Sequence, residues 1–301
     1  MNDSETMFGL LATARYAPRL RLERSEVFAQ HRWMAPGLKS LAKGRRAIAN
    51  WDEDAVTMAV EAARSLLAAT PARGTTELTL VSTTLPFADR LNAGIVAAAL
   101  GLDTNAIVRD VASSSRAALT ELVAALRHPV TDATRVVVAA ERRTARPGSA
   151  QELIFGDGAA AASVGTGPAL ATFVVARSMH ADIVDHFRQT GEAYDYGWEE
   201  RWVRDEGYLK IAVGAIKQCL LDAGMSAADI AHFALPAPVP RIDDAVAKRV
   251  GIAATARLAR HRAARGRTRR ADPGRRVRQW LRRAAAPAHG RALPRRRAGR
   301  R

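Results

Sequence analysis

One cysteine, Cys219, serves the whole 301-residue chain, which excludes an intrachain disulfide and any metal site built on several thiolates. No run approaches the roughly 18 apolar residues of a spanning helix. The first eleven residues have neither the basic start nor the long apolar centre of a secretory signal, so a cytoplasmic protein with no membrane partner is expected. Aromatic residues make up only 5% of the chain, and asparagine does not recur after Asn105. His31, His128, His180 and His186 show no ligand spacing, and no metal is expected.

What is abundant is arginine, but unevenly. Residues 251–301 contain 18 arginines, no lysine and a single acid, Asp272, which leaves 28 basic and 29 acidic residues for the first 250. The net charge of +16 therefore describes the tail, not the body. From Ala253 onward the only large apolar residues are Leu258, Val277, Trp280, Leu281 and Leu293, too few to offset the entropy of ordering, so residues 253–301 are expected to be disordered or weakly helical. Such a tail could bind nucleic acid through phosphate contacts, yet it lacks interleaved aromatics and any recognised motif. Its abrupt Arg/Ala/Pro/Gly composition instead resembles an out-of-frame translation of a GC-rich gene.

The body alternates strand and helix patterns, which predicts an α/β protein with parallel-rich sheets covered on both faces. Strands are expected at residues 8–12, 77–84, Ile107–Val111, 135–140, 159–164, 170–176 and 230–235. Helices are expected at Ala55–Ala69, Asn92–Leu100, 114–126, 208–223 and 241–250. The helix at 114–126 is nearly uncharged apart from Glu121, the pattern of a helix buried all round. Gly224 reads as a helix C-cap, and Ser226 with Asp229 as a capping box.

Residues 108–119 run from a strand straight into a helix, the junction where α/β enzymes place a nucleophile beside unpaired backbone N–H groups. The candidates there are Ser113, Ser114 and Ser115, which N-capping also explains. Together with segments 8–22, 52–67, 152–165 and 229–252, in order and spacing, this junction resembles the thiolase superfamily. The likeness spans residues 7–252 and is greatest to bacterial 3-hydroxy-3-methylglutaryl-CoA synthases and type III ketoacyl synthases. It implies a two-half αβαβα fold: an N-terminal half at 1–165, and an incomplete second half at 166–252.

The resemblance implies an acyl-accepting cysteine five residues after Asp110, where this chain has Ser115. It places the family glutamate at Thr84 and the family histidine at Pro236. His232 lies four residues earlier, about 13 Å away at strand rise. The assisting asparagine would fall within the segment occupied by the tail. A serine hydroxyl is a weak nucleophile without a base, and a helix dipole worth roughly 0.3–1 kcal/mol does not replace one. Gly156, Asp157 and Gly158 match the loop shaping the acyl site, and also read as a tight turn needing positive φ. Arg142, Arg143 and Arg146 could meet CoA phosphates or simply be solvated. Cys219 lies on the apolar face of its helix and reads as core.

The expected function is an acyltransferase that condenses acyl-CoA or acyl-carrier thioesters with no bound cofactor, as a homodimer. The alternative is a non-catalytic acyl-CoA-binding or scaffold subunit, which the lost cysteine, glutamate and histidine favour, paired with an OB-fold partner.

Overall fold

The computed structural model describes residues 7–69, 74–130, 133–237, 239 and 241–256. The expectation of disorder in the tail falls on residues 257–301 and lies outside them. The chain begins with β1 (Met7–Tyr16), β2 (Leu20–Glu23), α1 (Arg24–His31), a 3-10 turn at Pro36–Leu41 and β3 (Arg45–Ile48). There follow α2 (Ala55–Ala69), β4 (Thr75–Val81), α3 (Asn92–Leu100), β5 (Ile107–Val111), α4 (Ala117–Arg127), β6 (Thr134–Glu141), α5 (Ala150–Ile154) and β7 (Gly158–Gly167). Beyond these, β8 (Ala171–Thr172), β9 (His186–Phe187) and β10 (Tyr196–Gly197) are two-residue strands.

The central sheet has the order β5-β4-β6-β7-β1-β8. The pairs β4–β5 and β4–β6 are parallel, so the carboxyl ends of three neighbouring strands lie side by side. The pairs β6–β7, β7–β1 and β1–β8 are antiparallel. Alternation divides the strand residues between two faces. Leu78, Leu80, Val136, Val138 and Ala161 pack beneath α2 and α3, while Val81, Val137 and Val164 meet α4. Helix α2 forms because its apolar positions recur at helical spacing, with Ala55, Met58, Ala59, Ala62, Ala63 and Leu66 fully buried. Asp54 caps it, accepting from the Thr57 N–H at 2.8 Å. Gly9 is required by close approach: a Cβ there would lie 2.3 Å from the Ala171 carbonyl oxygen of β8.

The second half departs from the expected pattern. Residues 170–176 form no full strand; only Ala171–Thr172 pairs, and it joins the edge of the first sheet against β1. Residues 230–235 form no strand either, although the Phe233 N–H donates to the Ala256 carbonyl at 2.8 Å. A strand is stable only with a partner ladder, and none is present among the described residues. The second half keeps its helices. A continuous helix runs through α6 (Glu200–Trp202), a π-helical stretch at Val203–Ala212 and α7 (Val213–Asp222), and α8 (Ile242–Val250) packs on it through Val203, Val213, Ile242 and Val246. Gly224 follows at φ +64°, and the Ser226–Asp229 capping box forms. Cys219 is half-buried rather than core.

Helix α4 is not buried all round: only Ala117 and Ala125 are buried, and Leu119 is 52% exposed. Its uncharged outer face is suited to a second layer, which is not present among the described residues.

Candidate functional site

In open α/β sheets, ligands bind beyond the carboxyl ends of the strands. Here the ends of β4, β5 and β6 lead into Ser82–Thr84, Ala112–Arg116 and Glu141–Arg143, which brings the regions of Thr84, Ser115 and Arg142 to one edge of the sheet. Ser82 stays tied to β5, donating its N–H to the Val111 carbonyl at 3.1 Å.

Ser115 is exposed in the turn that opens α4. The helix is entered through Arg116 with no side-chain cap, so the serines at 113–115 do not perform the capping expected of them. Among the described residues the Ser115 hydroxyl has no hydrogen-bond partner, and no base is poised to take its proton. Asp110, five residues earlier, faces α3 instead: its carboxylate accepts from the N–H groups of Asn92 and Ala93 and from Asn92 Nδ2.

Thr84 is part of a hydrogen-bond cluster whose centre is Glu141. The Glu141 carboxylate accepts from the Thr83 N–H at 2.8 Å, Thr83 Oγ1 at 2.9 Å and Thr84 Oγ1 at 3.1 Å. Thr84 Oγ1 also accepts from the Arg142 N–H at 2.9 Å. A carboxylate therefore stands beside position 84, but it comes from the next strand. Sequence reasoning missed it; its signal is an acid directly after the apolar run of β6.

Arg142 does not extend freely into solvent, because its Nη1 donates to the Glu53 carbonyl at 2.6 Å. Arg143 is not a solvated surface residue. It pairs with Asp195 at 2.6 Å and lies over the Phe155 ring at 4.8 Å. Arg146 remains exposed.

The Gly156–Gly158 loop is a tether. The Asp157 carboxylate accepts from the Ala49 N–H at 2.7 Å, and the Asp157 N–H donates to the Ala47 carbonyl at 3.2 Å, which fastens β7 to β3. Burial pushes the Asp157 carboxyl above its usual value, against the opposing hydrogen bond from Ala49 and the charges of Arg46 and Arg142. Neither glycine has positive φ, contrary to the expected tight turn. Gly158 is needed for another reason: a Cβ would lie 3.0 Å from the Tyr16 carbonyl oxygen. The Tyr16 hydroxyl donates to Glu53, and that bond, with burial, raises the phenol to a pKa of about 12.

Pro236 and His232 are exposed in the irregular segment before α8. The ring nitrogen of Pro236 is the amide nitrogen of its peptide bond and is no base, and His232 lies off any strand. Among the described residues no group of three His, Cys, Asp or Glu side chains is placed to hold a metal ion, and no helix is long and apolar enough to cross a membrane.

No family model matches the chain. In structure it is similar to a crystal structure of HMG-CoA synthase complexed with CoA, with a TM-score of 0.69 and 20% identity over 81% of this chain. It spans 63% of the length of that protein. It is also similar to the 3-oxoacyl-(acyl carrier protein) synthase III of Pseudomonas aeruginosa, with a TM-score of 0.70 and 20% identity, covering 84% of this chain and 83% of the other. These similarities define a thiolase-like fold. In sequence the chain is 26% identical over 254 residues to the hydroxymethylglutaryl-CoA synthase of Methanosphaera stadtmanae, covering 81% of this chain and 72% of that one. The chain thus has a thiolase-like fold and is similar to hydroxymethylglutaryl-CoA synthases in sequence and structure and to 3-oxoacyl-(acyl carrier protein) synthase III in structure.

Proposed function

We propose that this chain handles acyl thioesters as a condensing-synthase-type protein, taking acyl-CoA or an acyl-carrier thioester at the strand ends, with Ser115 at the acyl-accepting position. The observation that supports this most is the placement of Ser115: it is exposed at the start of α4, directly after β5 and beside the ends of β4 and β6. There the positive end of the α4 dipole favours charge developing on a thioester carbonyl oxygen. The names of the similar proteins agree with such a substrate class.

A second reading, a non-catalytic acyl-CoA-binding subunit, is favoured by two features. The Ser115 hydroxyl has no partner among the described residues, and Thr84 carries no carboxylate. In the same proposal the body comprises two halves, as the resemblance implies, and a second copy and an OB-fold protein are its protein partners. Strand β5 lies at the sheet edge with Ile107 63% exposed, an unpaired edge that suits a second copy.

Intact-mass measurement after incubation with acetyl-CoA tests the proposal. Ser115→Cys should gain an acetyl group and Ser115→Ala should not, since a thiolate is intrinsically the better nucleophile. An adduct on the unaltered chain, lost in Ser115→Ala, selects the enzyme over the binding subunit. Failure of Ser115→Cys to acylate, together with no acetyl-CoA binding by the unaltered chain, removes the acyl-thioester reading.

A further inference from the structure

Near the strand ends lies the carboxylate of Asp195, whose side chain is only 4% exposed. Two arginines meet it: Arg143 Nη2 lies 2.6 Å from Oδ2, and Arg188 Nη1 lies 3.4 Å from Oδ1. Arg143 follows Glu141 by two residues, while Arg188 and Asp195 sit in the hairpin between β9 and β10. The second nitrogen of the Arg188 fork, Nη2, donates to the Thr83 carbonyl. Thr83 donates to Glu141 through its N–H and its hydroxyl. The contacts close a ring from the end of β6, through the hairpin, to the end of β4 and back.

Withdrawing an aspartate and two arginines from water is costly, and apolar contacts would fasten a hairpin at less cost. What a guanidinium fork adds is direction, because its two nitrogens hold two acceptors in fixed relative positions. The hairpin has little else to fix it. Its strands pair over two residues each, and Phe187 and Tyr196 are largely exposed. It nevertheless seats closely, since a Cβ on Gly197 would lie 2.9 Å from Gln151 Nε2.

We infer that Asp195 is a positioning residue: through Arg188 it fixes the hairpin against Thr83 as a wall of the acyl-thioester site. The inference rests on the proposed function for the identity of the ligand, but the anchoring is a property of the ligand-free protein.

The test compares the full chain with Asp195→Asn and Arg188→Lys, by hydrogen exchange without ligand and by titration with acetyl-CoA. Asp195→Asn keeps the shape and removes the charge, whereas a lysine at 188 keeps the charge and serves only one of the two acceptors. Each variant should speed amide exchange at 186–198 by about tenfold or more while leaving α2, β4 and β6 within about twofold. Each should also weaken acetyl-CoA binding by about fivefold or more. Unchanged exchange at the hairpin, or a rise spread over the whole sheet, overturns the anchoring role. A loosened hairpin with unchanged affinity overturns its role as a wall. Should Asp195→Asn fail to fold, Arg188→Lys carries the comparison, the Arg188 side chain being 22% exposed. If the unaltered chain binds no acetyl-CoA, the acyl-thioester reading falls, and the exchange pattern still decides whether Asp195 anchors the hairpin.

Discussion

The carboxylate of Asp110, at the end of β5, grips Asn92 at the start of α3. Its Oδ2 accepts from the Asn92 N–H at 2.8 Å and from Asn92 Nδ2 at 2.9 Å, while Oδ1 accepts from the Ala93 N–H at 2.6 Å. A negative charge on unpaired N–H groups at a helix start is favourable on both hydrogen-bonding and dipole grounds. The aspartate five residues before Ser115 thus holds the strand that carries the serine against its neighbouring helix.

Replacing Asp110 with Ala should therefore cost about 2–3 kcal/mol, since bonds to a charged group are lost and the N–H of Asn92, a residue only 1% exposed, loses its partner, although the Asn92 side chain keeps the Phe87 and Arg90 carbonyls. Asp110→Asn, which keeps one acceptor, should lose less. Urea unfolding measures both, and a loss below about 0.5 kcal/mol for the alanine variant would refute the capping role.

Burial raises the Asp157 carboxyl above 3.8, so the folded protein holds this proton more tightly than the unfolded chain. The stabilisation from that proton is complete below about pH 3.8 and is lost as pH rises through the folded-state value. Asp157→Asn is neutral throughout and keeps an acceptor for the Ala49 N–H. Its stability relative to the unaltered chain should rise across this acid window and then level off. A difference independent of pH, measured by denaturant unfolding at several acid values, would contradict the assignment.

Leu119 on α4 is 52% exposed, with no sheet packed over it among the described residues. Leu119→Gln should change unfolding free energy by less than about 0.5 kcal/mol and reduce self-association in light scattering. A loss of about 2 kcal/mol would mean that this face is covered in solution.

A chain cut after Ala256 loses all 18 tail arginines yet keeps the buried Ala256 and the carbonyl that accepts from Phe233. Its melting temperature should stay within about 2 °C of the full chain. A cut after Ile252 removes that carbonyl and should cost about 1 kcal/mol. Scanning calorimetry on the two truncations separates these outcomes, and equal melting temperatures would deny Ala256 any part in the core.

Local pattern was enough where local physics decides. Helices at Ala55–Ala69 and Asn92–Leu100 and the strand Ile107–Val111 appear at their expected bounds, because helical spacing of apolar residues and a short apolar run are properties of neighbouring residues. The strands expected at 170–176 and 230–235 did not form, since strand existence depends on a partner the local sequence does not contain. Ser115 could be marked as a candidate position from its junction and its distance from Asp110. Glu141 could not be joined to Thr84, because the two are 57 residues apart in the chain and meet only through β4–β6 pairing.

By itself the sequence determined the alternation of elements, the arginine-rich tail, the family resemblance and the identities of the residues at 84, 115 and 236. Each is a matter of residue identity and short-range periodicity. Only the tertiary structure decided that Asp110 caps α3, that Asp157 is a tether, that α4 lies uncovered and that Asp195 joins Arg143 to Arg188. These depend on long-range packing, which brings distant carboxylates and donors within hydrogen-bonding distance and decides which charges leave water.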